Sequence, residues 1–151
     1  MDILNVLDEK SLLITQDWAM KFFPRKYRES QSDWFGKRGL SWHISVAIWR
    51  RCNQQLEGLT VVHIRQENAG CYHSAETILG MQKVAESAGV QIRRMDFSDP
   101  QGGKGPCDRR AASLKAHIRI HINEGHNVED ALEMKSAIEA IEVDLPEYVR
   151  T

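Results

Sequence analysis

The stretch that decides the fold is Ser11-Leu12-Leu13-Ile14-Thr15-Gln16-Asp17, near the start of the chain. It is a short apolar run that ends in an acidic residue, and a run of this kind predicts a buried strand. The strand would present Asp17 at its carboxyl end. Because active-site residues gather beyond the carboxyl ends of the strands in α/β sheets, Asp17 is the first candidate site residue.

The rest of the chain predicts further strands and helices. The predicted strands are residues 11–17, 40–49, 59–65 and 90–97, and the predicted helices are residues 74–88, 107–123 and 128–141. Residues 40–49 alternate between apolar and polar side chains, as a half-buried strand does. The order of three strands, one helix, one strand and two helices predicts an α/β layer in which the strands after the first helix run parallel to their neighbours.

Capping residues and apolar stripes support the three helices. Ser74 is suited to cap the first helix, and Gly89 and Gly125 follow the ends of the first and second. The predicted buried stripe of the second helix is Ala111, Leu114, Ile118 and Ile122. Asn127 is the predicted cap of the last helix, whose predicted buried side chains are Val128, Ala131, Leu132, Ile138 and Ile141.

Length and composition are those of an ordinary globular protein. With 151 residues, 42% of them hydrophobic, residues 1–151 are predicted to form a single domain. No apolar run approaches the roughly 18 residues of a membrane-spanning helix, so no membrane partner is predicted. The cysteines Cys52, Cys71 and Cys107 are widely spaced and odd in number, which predicts a reduced, intracellular protein.

Charge is unevenly distributed along the chain. Residues 1–120 carry a net charge of +5, whereas residues 121–151, an acidic and helical C-terminal segment, carry −6. A basic body can bind a polyanion through phosphate contacts, and an acidic tail can cover that surface. Solvated helix faces of opposite sign would give the same distribution.

The best candidate for a nucleic-acid surface is the segment 21–38. Its basic residues are Lys21, Arg25, Lys26, Arg28, Lys37 and Arg38, and the aromatic residues Phe22, Phe23, Tyr27, Trp34 and Phe35 lie among them. Basic side chains bind phosphates and aromatic rings stack on unpaired bases, so the segment predicts contact with DNA or RNA. The alternative is that the rings belong to the core and the basic groups are merely exposed.

Three acidic residues are candidates for a metal site: Asp17 ends the first predicted strand, Glu67 follows the third, and Asp108 begins the second long helix. Carboxylates brought together from two strand ends and a helix can hold two divalent metal ions for phosphodiester chemistry. Mg²⁺ or Mn²⁺ would suit such oxygen ligands. Spacing alone is weak support, because a chain with 21 acidic residues offers many such triples.

Four stretches resemble a known catalytic core. They are Gln16–Phe22 (QDWAMKF), Tyr27–Gly39 (YRESQSDWFGKRG), Asn68–His73 (NAGCYH) and Asp96–Arg109 (DFSDPQGGKGPCDR). They resemble the eukaryotic DDE-type, ribonuclease-H-like transposases, over about residues 12 to 140. The resemblance implies a nuclear protein that acts on DNA.

The family's functional residues can be carried over one at a time. Its first acidic residue lies on the first strand and matches Asp17, and its second precedes the Asn-Ala-Gly-Cys-Tyr-His run and matches Glu67. Its third lies on the helix after the glycine-lysine loop, where Asp108 is the closest match. The resemblance thus implies that these three residues are catalytic and hold the metals. Lys104 and Arg109, in and after that loop, complete the predicted nucleic-acid contacts.

This chain departs from the family pattern in two places. Relatives carry Asp where this chain has Glu67, and one extra methylene displaces a metal-ligating carboxylate by more than about an ångström. Relatives also have a further strand and helix before the second acidic residue. The predicted fold is therefore an α/β ribonuclease-H-like mixed sheet flanked by helices, trimmed by one strand and one helix. Strand 59–65 takes either the edge place in the sheet or the central place beside the strand of Asp17. Only the central place brings Glu67 near Asp17.

Competing functions stay open on the sequence. The leading hypothesis is a transposase-derived, metal-dependent polynucleotidyl transferase or nuclease, active or degenerate. The alternative is a catalytically silent nucleic-acid-binding or protein-interaction domain. A small-molecule enzyme using Gly102-Gly103-Lys104-Gly105 lacks the phosphate-loop pattern. Cys71, His73 and Cys107, or the helical pair His117 and His121, match no common zinc-finger spacing, so packed thiols and ordinary histidines are expected.

Overall fold

The computed structural model describes residues 3–5, 7–35, 37–49, 58–98 and 105–142. The chain divides into two compact units, each made of two separate stretches. The first unit comprises Met1–Asp17 and Ser45–Cys107, and the second comprises Trp18–Ile44 and Asp108–Thr151.

Across the described ranges, a short 3-10 turn over Ile3–Asn5 precedes four strands and four helices. The strands are β1 (Ser11–Phe22), β2 (Leu40–Trp49), β3 (Val61–Glu67) and β4 (Gln91–Ser98). The helices are α1 (Gln31–Trp34), α2 (Ala75–Ser87), α3 (Pro106–Asn123) and α4 (Ala131–Glu142). The sheet is mixed and has the order β2-β1-β3-β4, which confirms the predicted α/β class. No helix in these ranges is long and apolar enough to cross a membrane.

The sheet of the first unit is organised around β3. This strand pairs in parallel with β1 on one side and with β4 on the other. Its residues Val61, Val62, His63 and Ile64 are all buried, as expected for a parallel strand covered on both faces. The strand predicted over 59–65 therefore takes the central place beside β1. Between β3 and β4 the chain passes through α2, a helical crossover typical of parallel strands.

Helix α2 begins and ends where its capping residues predict. The Ser74 hydroxyl accepts a hydrogen bond from the Thr77 backbone N–H at 3.2 Å. After the helix, Gly89 adopts a left-handed conformation with φ of +71°. The apolar residues Ile78, Leu79, Met81 and Val84 are predicted from the sequence to form the buried side of α2. In the structure Ala85 is buried, Ile78 and Met81 are half-buried, and Leu79 and Val84 are exposed. Ala85 shares its stripe with residues three and four positions away, and Leu79 and Val84 lie off that stripe.

The second unit has its own apolar core. The buried side chains come from α3, α4 and the connection between them: Ile118, Ile122, Val128, Met134 and Ala137. Phe22, Leu40, Trp42 and Ile138 pack against this cluster. The spacing of Ala111, Leu114, Ile118 and Ile122 along α3 predicted a buried stripe, and all four residues are buried.

Two element boundaries differ from the sequence prediction by more than two residues. Strand β1 continues to Phe22, five residues beyond its predicted end, so Asp17 lies inside the strand and not at its carboxyl end. Helix α4 begins at Ala131, after Asp130, because the Asp130 carboxylate accepts a hydrogen bond from the Glu133 N–H at 2.9 Å. Asn127, the predicted cap, instead accepts a hydrogen bond from the Tyr27 N–H at 2.9 Å.

The later start of α4 changes which side chains it buries. Met134 and Ala137 are buried, whereas Ala131 and Leu132 are exposed. Val128 is buried as predicted, but it lies before the helix and pairs with Arg25 in an isolated antiparallel bridge.

Replacing Ile118 with Ala is expected to lower the free energy of unfolding by about 2–5 kcal/mol, because it leaves a cavity in a fully packed site. Ile118 is 0% exposed. Ile120 is the matched control, since it lies two residues further along α3 and is 53% exposed. Ile120→Ala should change the free energy of unfolding by no more than about 0.5 kcal/mol. Urea denaturation followed by circular dichroism measures both, and equal effects would contradict the burial assigned to Ile118.

Candidate functional site

Asp17 and Glu67 occupy equivalent places on neighbouring parallel strands. The β1–β3 register pairs Gln16 with Gln66, and Asp17 and Glu67 are the next residues along each strand. Adjacent strands lie about 4.8 Å apart and paired positions face the same side of the sheet. Both side chains are half-buried. The β1–β3 pairing thus brings together the first two acidic residues predicted from the sequence, with Asp17 inside β1 and Glu67 at the carboxyl end of β3.

Tyr72 lies close to this pair of carboxylates. It is buried, and burial raises the pKa of its phenol above the ordinary value. The negative charges of Cys71, Asp17 and Glu67 raise the Tyr72 pKa further. A phenol with a raised pKa stays protonated at neutral pH and can donate a hydrogen bond to an anionic group.

Local hydrogen bonds hold the loop that carries Tyr72. The Gln66 side-chain amide donates to the Tyr72 carbonyl at 3.2 Å, and the Tyr72 N–H donates to the Ala69 carbonyl at 2.9 Å. The Thr77 hydroxyl donates to the Cys71 carbonyl at 2.7 Å. These contacts tie the Asn-Ala-Gly-Cys-Tyr-His run between the end of β3 and the start of α2. They explain why Tyr72 is buried although it lies in a loop.

Asp108 lies in the first turn of α3 and is exposed. An acidic side chain there interacts favourably with the positive end of the helix dipole. Asp108 belongs to the second unit, whereas Asp17 and Glu67 belong to the first. The preceding residue, Cys107, is part of the first unit: it is buried, and its thiol donates a hydrogen bond to the Thr15 carbonyl at 3.1 Å.

The basic segment 21–38 contributes to a pocket in the second unit. The pocket has a volume of about 170 Å³ and is lined by Lys21, Phe22, Phe23, Arg25, Lys115, Arg119 and Ile122. Four of these side chains are cationic and three are apolar. This combination suits an anionic ligand with a flat apolar part, such as a nucleotide, because cations bind its phosphate and apolar side chains contact its base.

Lys115 and Arg119 were missed by the sequence analysis. They lie four residues apart on α3, so they project from one face of the helix. Lys115 also lies over the ring of Trp42, with its Nζ 5.6 Å from the ring centroid. The i, i+4 spacing of two basic residues was the available signal. It does not reveal that this face meets Lys21 and Arg25, which are distant in sequence.

Two of the predicted nucleic-acid contacts are engaged in internal ion pairs. Lys26 lies 3.3 Å from Glu129 and 3.8 Å from Asp33, and the hydrogen bond with Glu129 raises the Lys26 pKa, as does the charge of Asp33. Lys37 pairs with Glu29 and donates a hydrogen bond to the Pro24 carbonyl. Their charges are compensated within the second unit, so they contribute less to binding a polyanion than Lys21 and Arg25.

The other predicted contacts lie in different surroundings. Arg28, Arg38 and Arg109 are exposed, and Lys104 lies outside the described residues. Arg28 adopts a left-handed backbone conformation with φ of +58°. Trp34 is exposed and has Arg25 and Lys37 over its ring, at 5.9 Å and 5.5 Å from the centroid. The exposed rings of this segment, Phe23, Tyr27, Trp34 and Phe35, are available for stacking.

A different set of side chains meets the distance requirement for a single metal ion. Within the described ranges, the ligand atoms of His121, Glu124 and His126 all lie within 4.8 Å of one another. These residues lie at and just after the end of α3, entirely in the second unit. Two imidazoles and one carboxylate favour zinc and related transition metals over Mg²⁺.

No family model, no curated protein and no solved structure matches the chain.

The raised Tyr72 pKa predicts a specific loss of stability in alkali. Since the folded-state pKa exceeds the unfolded value of about 10, the contribution of Tyr72 to stability is fully present below that pH and is lost as the pH rises beyond it. Tyr72→Phe should therefore lose less stability between about pH 9 and 11 than the wild type does. The melting temperature measured across this range tests the expectation.

Tyr27→Phe is the matched control, because Tyr27 is 42% exposed. It should follow the wild-type pH dependence. Asp17→Asn should also reduce the alkaline loss, since it removes one of the charges that raise the Tyr72 pKa. Identical alkaline profiles for Tyr72→Phe and Tyr27→Phe would contradict the raised pKa.

Proposed function

We propose that the chain is a ribonuclease-H-like domain, derived from a DDE-type transposase, that binds nucleic acid and carries the remnant of a metal-dependent phosphodiester site. The observation that supports it most directly is the pairing of β1 with β3, which sets Asp17, inside β1, beside Glu67, the last residue of β3. Had β3 taken the edge place in the sheet, the two carboxylates would have been separated by at least one further strand.

The connection between β2 and β3 supports the proposed trimming of the fold. Eleven residues separate Trp49 from Val61. A strand of about five residues followed by a helix of about eleven would not fit into that length. A chain that has lost one strand and one helix of the family that the sequence resembles would have a connection this short.

The donor chemistry of the paired carboxylates fits Mg²⁺ or Mn²⁺ in part. Asp17 and Glu67 offer only carboxylate oxygens, which these ions prefer. When bound, divalent metal would activate a water or 3′-hydroxyl and stabilise the leaving oxyanion. Asp17 would be the first ligand and Glu67 the second. Glu67 is longer by one methylene than the aspartate of the family, which displaces its carboxylate and weakens the site.

The residues around the carboxylates have their own proposed tasks. Tyr72, buried and protonated, would donate a hydrogen bond to a substrate phosphate oxygen or orient a carboxylate. The hydrogen bond from Gln66 to the Tyr72 carbonyl would hold the loop at a fixed distance from β3. Basic side chains of the second unit would bind the nucleic-acid backbone.

A catalytically silent nucleic-acid-binding domain is the second candidate function. The basic pocket favours it. The cationic side chains of the pocket, Lys21, Arg25, Lys115 and Arg119, lie in the second unit. They therefore do not depend on the carboxylates of Asp17 and Glu67. A domain that lost metal binding through Glu67 would keep this surface. The two candidates share the binding step and differ only in metal-dependent chemistry.

Millimolar Mn²⁺ is expected to raise the melting temperature of the wild type more than that of Asp17→Asn, because a ligand that binds only the folded state stabilises it by linkage. Glu67→Asp should increase this difference and recover metal-dependent nicking of supercoiled plasmid DNA. Differential scanning fluorimetry and gel electrophoresis provide the two measurements.

Glu76→Gln is the control for this experiment, since Glu76 is an exposed acid of the same unit, in the first turn of α2. Its response to Mn²⁺ should match that of the wild type. Equal responses from wild type, Asp17→Asn and Glu67→Asp, without nicking, would reject the catalytic proposal and leave the silent domain.

The basic pocket is expected to carry most of the affinity for nucleic acid. The double variant Lys21→Ala/Arg119→Ala should bind single-stranded DNA more weakly, because two phosphates would no longer be neutralised. The slope of log affinity against log salt should become shallower by about 1.4, roughly 0.7 for each of those phosphates on single-stranded DNA. Fluorescence anisotropy at several salt concentrations measures both quantities.

Three further single variants serve as controls for the pocket. Lys26→Ala removes one positive charge that is already paired with Glu129 and Asp33, and should have a smaller effect than Lys21→Ala. Arg93→Ala and Lys83→Ala remove exposed charges of the first unit and should have little effect. Equal losses for all single-charge variants would show that net charge alone, and not the pocket, determines binding.

A further inference from the structure

The end of α3 is closed by a turn that returns the chain over the helix. Gly125 adopts φ of +109°, a left-handed conformation that glycine accommodates without strain. The Gly125 N–H donates to the Ile122 carbonyl at 3.1 Å, and the His126 N–H donates to the His121 carbonyl at 3.4 Å. This pair of hydrogen bonds defines the Schellman motif. It places residue 126 against residue 121, five positions earlier.

The turn brings two imidazole rings together. The ring centroids of His121 and His126 lie 4.2 Å apart, with an angle of 13° between the ring planes. In most Schellman motifs the corresponding positions make a plain hydrophobic contact. Here both positions carry nitrogen donors, and Glu124 adds a carboxylate from the residue before the glycine. All three sets of ligand atoms lie within 4.8 Å of one another.

We propose that His121, Glu124 and His126 form a Zn²⁺ site, with water completing the coordination. Two histidines, one carboxylate and a water are an established zinc donor set. Small side-chain rotations bring ligand atoms at these separations to the metal–ligand distances of about 2.0–2.2 Å that zinc requires. A cation is also favoured at this position because the unpaired carbonyls at the end of α3 are the negative end of the helix dipole.

The alternative is an ordinary stacked pair beside an exposed carboxylate. The rings of His121 and His126 stack, and the Glu124 carboxylate lies within 4.8 Å of their ligand nitrogens. A merely structural Schellman contact needs residues 121 and 126 alone. It does not account for a third donor that points toward the same place.

The site would stabilise the connection between α3 and α4. The two residues after His126 both bind the basic segment: Asn127 accepts from the Tyr27 N–H, and Val128 exchanges backbone hydrogen bonds with Arg25 at 2.8 Å. A metal ion that fixes His126 would therefore also restrain the backbone of residues 25–27. This effect is confined to the second unit, and it does not depend on the proposed nuclease function.

Titration of the full chain with Co²⁺, followed by competition with Zn²⁺, tests the site. One equivalent of Co²⁺ should bind and give visible absorption bands without the intense near-ultraviolet band of thiolate ligation. Zn²⁺ should displace it. His126→Ala and Glu124→Gln should each weaken binding by about tenfold or more, because removing a direct ligand costs at least as much as the roughly tenfold loss caused by an outer-sphere partner.

Matched variants separate the site from general metal binding. His117→Gln changes a histidine one turn earlier on α3, and Glu139→Gln changes an exposed carboxylate on α4, and neither should alter the Co²⁺ affinity. Zn²⁺ should raise the melting temperature of the wild type and of these controls, but not of His126→Ala. A thiolate absorption band, no binding, or undiminished binding by His126→Ala and Glu124→Gln would overturn the proposal.

Discussion

The parallel pairing of β1 with β3 is the constraint on which the first unit depends. It runs from Ser11 beside Val61 to Gln16 beside Gln66. A slip of one residue would turn the other face of β3 toward its present surroundings, exposing the buried Gln66 and burying the exposed Arg65. The cost of burying the Arg65 charge opposes that slip. The same register therefore fixes the core of this unit and the side-by-side placement of Asp17 and Glu67.

Charge in the second unit is divided between structural ion pairs and a basic pocket. Glu29, Asp33 and Glu129 pair with Lys37 and Lys26, and the hydrogen bond from Ser30 together with the charge of Lys26 lowers the Asp33 pKa. Glu129 belongs to the acidic C-terminal segment, so part of that segment does neutralise the basic region. The exposed pairs of Lys26 with Asp33 and Glu129 contribute little to stability in water. Their main effect is to determine which lysines still carry uncompensated charge.

The sequence predicted the elements with strong periodicity. It did not predict the features that depend on contacts between residues distant in sequence. The bounds of β2 and the buried stripe of α3 followed from local patterns of apolar and polar residues, because each face of these two elements meets a single environment. The start of α4 did not, since Asn127 and Asp130 are both good caps and the hydrogen bond from Tyr27 decides between them. The pocket could not be predicted either, because Lys115 and Arg119 are about ninety residues from Lys21 and Arg25.

The same backbone turn ends α2 and α3 with different chemical results. After α2, the Val90 N–H donates to the Ala85 carbonyl at 3.0 Å, and two apolar residues meet before the chain enters β4. After α3, the equivalent pair is His126 and His121. The geometry comes from a left-handed glycine in both turns, so side-chain identity alone decides whether the contact is apolar packing or a pair of metal donors. An imidazole at each position, with Glu124 beside them, is what makes the end of α3 chemically different from the end of α2.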